Sequence, residues 1–283
     1  MCLARASDKA ATLPGDYTFV TYDQGMHTFI NGVMLKEGTT WSVTATDTAT
    51  PSMTGSHTGI VPKPPTLVSF GYADQTYDFG SIYPEYPLNL LANDLILLQV
   101  VGDANYPSYT PPGFTLLYGP DQSGLLHQWI YYKFADGTES GKKMTLNYGG
   151  QCSKSAWMYS FRNVALTNFT ESESFGSGNS SYISAQPVTT MGSYRLAVSF
   201  FFVGSSSVLD HWYDNLYGFQ GEMGGNWIAQ VNWAANYATN TGAINLAFQV
   251  QVAEMDAVGT ISGGSYTIAY PDSWGVRAFA LKP

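Results

Sequence analysis

The residues best equipped for chemistry sit in one polar stretch. Asp210-His211 follows Ser205, Ser206 and Ser207. A serine, a histidine and an acid can act as nucleophile, base and orienting group. Nothing near them resembles the sharp strand-to-helix turn that exposes a nucleophilic serine, so a polar loop is the expected reading. Glycoside cleavage would instead need two carboxylates about 5–10 Å apart. Glu171 with Glu173, Asp210 with Asp214, and Glu222 are the loop candidates, and Trp212 and Trp227 offer flat faces for a sugar ring. His27, His57, His127 and His211 are scattered, with no HxH, HExxH or DxDxDG pattern. No catalytic residue, cofactor or metal is therefore expected, although loop acids and carbonyls could still hold calcium. Asn168-Phe-Thr170 and Asn179-Ser-Ser181 match glycosylation sequons. Residues 1–12 lack an apolar leader core, so these matches are expected to be chance.

Aromatic side chains are the other candidates. Tyr and Trp pair a flat apolar face with a polar tip, which suits sugars and protein interfaces alike. Trp212, Tyr213, Tyr217, Tyr77 and Tyr83 fall in long, turn-rich segments and are read as ligand or subunit contacts. Trp129 and Trp157 fall inside strand patterns and are expected to fill a core.

These side chains must be positioned by sheets. Only 12% of the 283 residues are charged, 15% are aromatic, and Gly reaches 29. Helices keep their outer faces wet with Glu, Lys and Arg, which are scarce here. Antiparallel sheets can use Thr, Ser, Asn and Tyr instead. The net charge of −9, with 12 basic residues spread along the chain, argues against nucleic acid, which binds through Lys and Arg clusters. No apolar run approaches the roughly 20 residues of a membrane-spanning helix. Cys2 and Cys152 are too few and too far apart for a disulfide framework or a zinc site. Both are expected to be free thiols, as in a reducing cytoplasm.

The expected fold is all-β: a small N-terminal β module, then a jelly-roll-like antiparallel β-sandwich. Residues 1–13 lack an amphipathic period and read as an arm, with Met1, Leu3, Arg5 and Leu13 as its assembly contacts. Residues 14–61 read as a β-hairpin module that attaches the chain to a larger particle. Asp16–Tyr22 and Trp41–Thr46 alternate, and Asn31-Gly32 between apolar residues is a strong hairpin signal. Residues 62–65, Pro-Lys-Pro-Pro, favour polyproline II and block sheet pairing, so they read as a linker. Residues 66–283 read as the sandwich. In it, Leu95–Val101 and Leu196–Val203 are nearly continuous apolar runs, the mark of central strands covered on both faces.

Four segments also resemble a known module. Asn93-Asp-Leu-Ile-Leu-Leu98, Pro111-Pro-Gly-Phe-Thr-Leu-Leu117, Tyr131-Tyr-Lys-Phe-Ala-Asp-Gly-Thr-Glu139 and Trp157–Val164 are similar, in order and spacing, to segments of a β-sandwich module of tailed-phage structural and fibre-like proteins. Trp274–Leu281 is similar to that module's closing strand. Phe29-Ile-Asn-Gly-Val33 resembles a hairpin of phage tail-fibre segments. The chain departs from the module at Phe114, where Trp is usual, and at Asn163, where Gly is usual.

The resemblance implies a non-enzymatic virion protein, assembled in the host cytoplasm. It most resembles a tail or neck appendage; a capsid decoration protein is the alternative. Its expected partners are other virion proteins, further copies of itself, most readily as a trimer, and a host-surface glycan. A carbohydrate-binding module or polysaccharide depolymerase is the rival from another class, although the β-helix repeat usual in phage depolymerases is absent.

Overall fold

The structure is a computed structural model. It describes residues 2–9, 11–30, 32–33, 35, 40–61, 63–71, 75–78, 80–103, 110–147, 152–205, 228–235, 245–263 and 265–283. The fold is all-β, with antiparallel sheets arranged as a β-sandwich.

The N-terminal sheet has three strands: β1 (Cys2–Ala6), β2 (Trp41–Asp47) and β3 (Thr54–Ile60), in the order β1-β2-β3. The segment expected to be an arm is thus an edge strand, with Leu3 opposite Thr46 and Arg5 opposite Thr44. The β2–β3 turn is set by Asp47, whose carboxylate accepts the Ala49 and Thr50 N–H groups at 2.7 and 2.8 Å. Asp16–Tyr22 alternates as a strand would, yet it forms loop and a 3-10 turn at Thr21–Asp23. No strand is described in residues 27–35. There the Gly32 N–H donates to the Phe29 carbonyl, which puts the turn one residue earlier than Asn31-Gly32 suggested. Asn31 itself lies outside the described residues.

The first sandwich sheet comprises β4 (Thr66–Gly71), β5 (Gln75–Asp78), β6 (Leu95–Asp103), β7 (Thr115–Ser123), β8 (Leu126–Phe134) and β9 (Cys152–Arg162). Its order is β4-β9-β6-β8-β7, with β5 also on β9. The second comprises β10 (Thr170–Ser184), β12 (Arg195–Ser205), β13 (Ile228–Ala235), β14 (Asn245–Met255) and β16 (Ser265–Leu281), ordered β10-β16-β12-β14-β13. Between them in sequence, β11 (Val188–Thr190) and β15 (Gly259–Ile261) form a two-stranded ribbon. A jelly roll shuttles between its two sheets. Here each described sheet draws on one half of the chain, and the chain crosses once, from β9 to β10.

Both apolar runs are central strands, as their patterns require. β6 lies between β9 and β8, and β12 lies between β16 and β14. Leu95 and Leu97 face Val198, Phe200 and Phe279 in the core between the sheets. Tyr159 meets Phe200 edge-on at 5.4 Å, and Phe200 stacks on Phe279 at 5.8 Å.

The outer faces are covered too. Ile96, Leu98, Trp129 and Met158 pack beneath Ile82, Tyr86 and Leu90 of the loop after β5. The loop lies directly on β4: a Cβ at Gly71 would fall on the Glu85 carbonyl. On the second sheet, Phe201, Val276 and Ala278 pack beneath Ile183 and Val188. Trp129 and Trp157 are 3% and 2% exposed, as core residues should be.

Candidate functional site

The N-terminal sheet contrasts with this burial. Direct cross-strand partners share a face, so Arg5, Ser42, Thr44 and Thr46 lie on one side. Thr44 and Ser56 share a hydroxyl hydrogen bond of 2.8 Å, and Thr46 and Thr54 one of 3.0 Å. Ala4, Val43, Ala45 and Gly55 lie on the other side. Residues 54–59 of β3 are all exposed, and Trp41 is the only buried residue of β2. The described sheet therefore has hydrogen bonds and edges but no core of its own. Sheets of this size need a buried apolar face to be stable.

The segment between β1 and β2 adds a tightly closed loop. Tyr17 stacks on His27 with ring centroids 3.6 Å apart. Phe19 and Phe29 meet the Tyr17 ring edge-on at 5.5 and 5.7 Å. The Tyr17 hydroxyl donates to Asp23, with 3.0 Å to each carboxylate oxygen, and the Val20 N–H donates to the same carboxylate at 2.7 Å. These contacts turn Tyr22, Met26 and Ile30 outward, at 94%, 82% and 86% exposure.

An apolar groove of about 320 Å³ lies between the N-terminal region and the sandwich. Leu35, Trp41 and Ile60 line it from the N-terminal region, and Val164 and Leu166 from the sandwich. Among the described residues of the lining, Lys63 is the one charged side chain. The residues read as a linker lie against the sandwich here: Pro65 is buried, and the Pro64 carbonyl accepts from Asn163 at 3.2 Å.

The sites foreseen from sequence are dispersed. Met1, Trp212, Tyr213 and Tyr217 lie outside the described residues, as do Asp210, His211, Asp214, Glu222 and Trp227. Leu13 is half-buried and Arg5 is exposed. Tyr77 is opposite Ser153 on β5. Tyr83 is 46% exposed, next to the fully buried Ile82. Glu171 pairs with Arg195 at 3.1 Å and accepts the Met191 N–H, so its oxygens already hold structure together. No group of three His, Cys, Asp or Glu residues suited to a metal occurs among the described residues. No described helix is long and apolar enough to cross a membrane.

The charged residues of the four familiar segments lock the fold. Arg162 grips Asp94 with two hydrogen bonds of 2.8 and 2.7 Å and donates to the Asn89 carbonyl. Lys133 pairs with Glu139 at 2.8 Å, and Glu139 also accepts the Asp136 and Gly137 N–H groups. Phe114 stacks near Tyr86 at 6.3 Å.

Sequence inspection missed a buried polar chain between the sheets. Tyr159 donates to Gln99 at 3.2 Å, Gln99 to Gln128 at 2.6 Å and Gln128 to Asp121 at 3.3 Å. Asp121 is paired with Arg277, whose guanidinium lies over the Tyr118 and Phe175 rings at 5.0 and 5.3 Å. Burial pushes the Tyr118 and Tyr131 hydroxyls up to about 12 and raises Tyr159 further. The only advance signal was Gln and Asp interrupting strand runs at core-facing positions.

One polar cleft opens nearby, lined by Gln122, Ser123, Ser177, Asn179 and Ser273. The Trp274 ring lies across Gly178, where a Cβ would meet it, and its indole N–H donates to Ser180 at 2.9 Å. No protein-family model matches the chain, and no curated protein or solved structure matches it either.

Proposed function

We propose that this chain is a non-enzymatic structural protein of a tailed-phage virion, a tail or neck appendage component that assembles through residues 2–61. One observation carries the reading. The N-terminal sheet is formed but uncovered, while both sandwich sheets are covered on both faces. A coreless sheet gains what it lacks by burying its surface on other subunits. The sandwich then projects as a rigid body. The motif resemblance supports the particle assignment, since the charged residues of those segments brace the module's turns.

The test is particle incorporation. Particles produced with the full chain are expected to carry it, by mass spectrometry of purified virions. Particles produced with a chain lacking residues 2–61 are expected to lose it. Incorporation of the truncated chain at the full level would overturn the reading. A capsid decoration role predicts labelling over the head instead of the tail in immuno-electron microscopy.

Within this reading, the Gln122–Ser273 cleft favours a host-surface glycan as ligand. Its lining is uncharged and rich in hydroxyl and amide groups, which suits a neutral sugar. Binding to a glycan array that is lost in Asn179→Ala, without sugar release, would support it. Sugar release by the purified chain would favour a depolymerase.

A further inference from the structure

The outward apolar loop and the apolar groove are made for each other on different copies. We propose that residues 17–30 of one protomer plug the groove lined by Trp41, Ile60 and Leu166 of the next, giving a head-to-tail homo-oligomer. The inference rests on residues 2–61 being an assembly region; it does not depend on which particle carries them.

Area is the first argument. Phe19, Val20, Tyr22, Met26, Phe29 and Ile30 are between 39% and 94% exposed within one short segment. Large aromatic side chains carry about 150–250 Å² each. At those exposures the six offer several hundred Å², on the order of one partner's share of a standard interface, with one or two side chains in the groove and the rest against its rim.

Charge is the second. Residues 14–35 contain Asp16 and Asp23 and no Lys or Arg. Among the described residues, the groove's one side-chain charge is Lys63. Asp16, which is exposed at the base of the loop, is the acid that Lys63 of the next copy would meet.

Size is the third. A groove of about 320 Å³ is at the small end for a ligand pocket and suits a side chain or two. The loop leaves its own groove empty, since Tyr22, Met26 and Ile30 face solvent. Plug and socket are different surfaces, so the contact is heterologous. Such contacts close into rings or run on as filaments.

The test uses the full chain in sedimentation velocity over a concentration series. Wild type is expected to self-associate, as a ring of one size or a series growing with concentration, and Tyr22→Asp/Met26→Asp, at exposed positions that do not threaten folding, to stay a monomer. Lys63→Glu is expected to weaken assembly tenfold or more, and adding Asp16→Lys to restore it. Mixing the Tyr22→Asp/Met26→Asp chain with the Lys63→Glu chain leaves one intact plug and one intact socket. That mixture is expected to give a 1:1 dimer and nothing larger.

A monomeric wild type overturns the proposal, as does continued assembly of Tyr22→Asp/Met26→Asp. A mixture that forms no dimer overturns it too, and so does a wild type that uses Tyr22 and Met26 only to bind a different virion protein. Particle incorporation is read separately, so loss of self-association and loss of the virion reading are distinguishable.

Discussion

Two sheets in one chain show what hydrogen bonding alone can and cannot do. β2 and β12 are both antiparallel strands with partners on either side. β12 buries Val198, Phe200, Phe201 and Phe202 completely, whereas β2 buries only Trp41. Net hydrogen-bond stabilisation is about 1 kcal/mol each, while a buried large apolar side chain contributes about 1.5–3 kcal/mol. The sandwich has both contributions within its own chain. The N-terminal sheet has mainly the first, so its stability should depend on company.

The sharpest way to break the contrast is to damage the covered side. Phe200→Ala removes a ring packed between Tyr159 and Phe279. It is expected to cost about 3–5 kcal/mol, read as a lower denaturant midpoint for the sandwich. Asp121→Ala leaves the Arg277 guanidinium, 15% exposed, without its carboxylate. Breaking such a pair costs about 3–5 kcal/mol, and the joint change Asp121→Leu/Arg277→Met should recover only part of that loss in the same assay, because the buried Gln128 amide still loses its acceptor.

Alkali sharpens the comparison without mutation. Burial holds the Tyr118 and Tyr131 hydroxyls at about 12 in the folded chain, against 10.0 when unfolded. The folded state therefore keeps its phenolic protons where the unfolded state gives them up. Their contribution is complete below pH 10 and is lost as pH rises toward 12. Stability of the sandwich measured at pH 8, 10 and 11 should fall in that order, and Tyr131→Phe should flatten the decline.

The smallest effect belongs to the uncovered side. Val43→Thr on β2, on the half-exposed face, should shift the global midpoint by less than about 0.5 kcal/mol. Asp47→Ala should leave that midpoint unchanged too. It should strip hydrogen-exchange protection from the Ala49 and Thr50 amides, which now donate to Asp47. The Ala49 and Thr50 N–H groups also lower the Asp47 pKa. Their protection is therefore present above the unfolded carboxylate range and fades as pH falls through the folded value.

Some elements were legible because burial writes itself into composition. The runs at Leu95–Val101 and Leu196–Val203 predicted central strands, and β6 and β12 are central. β10 (Thr170–Ser184) carries little apolar pattern to read. As an edge strand, its Ser- and Gly-rich stretch from Thr170 to Ser181 pairs with β16 through backbone and needs few apolar side chains. Residues 143–146 contribute the isolated bridges Glu85↔Lys143 and Ile82↔Leu146. The exposed loop at 17–30 misled because its aromatics obey strand alternation while satisfying one another locally. Of the candidate sites, the sequence pointed to the N-terminal region but not to its groove, whose walls are more than a hundred residues apart, as Trp41 and Leu166 show.

By itself, then, the sequence determined the class: little charge, abundant Thr, Ser, Tyr and Gly, and two apolar runs leave antiparallel sheet as the way to bury this chain. The tertiary structure alone decided which surfaces remain uncovered. The loop after β5 folds back over its own sheet, whereas nothing described folds over β3. That outcome depends on contacts between residues far apart in the chain, which local patterns of hydrophobicity do not encode.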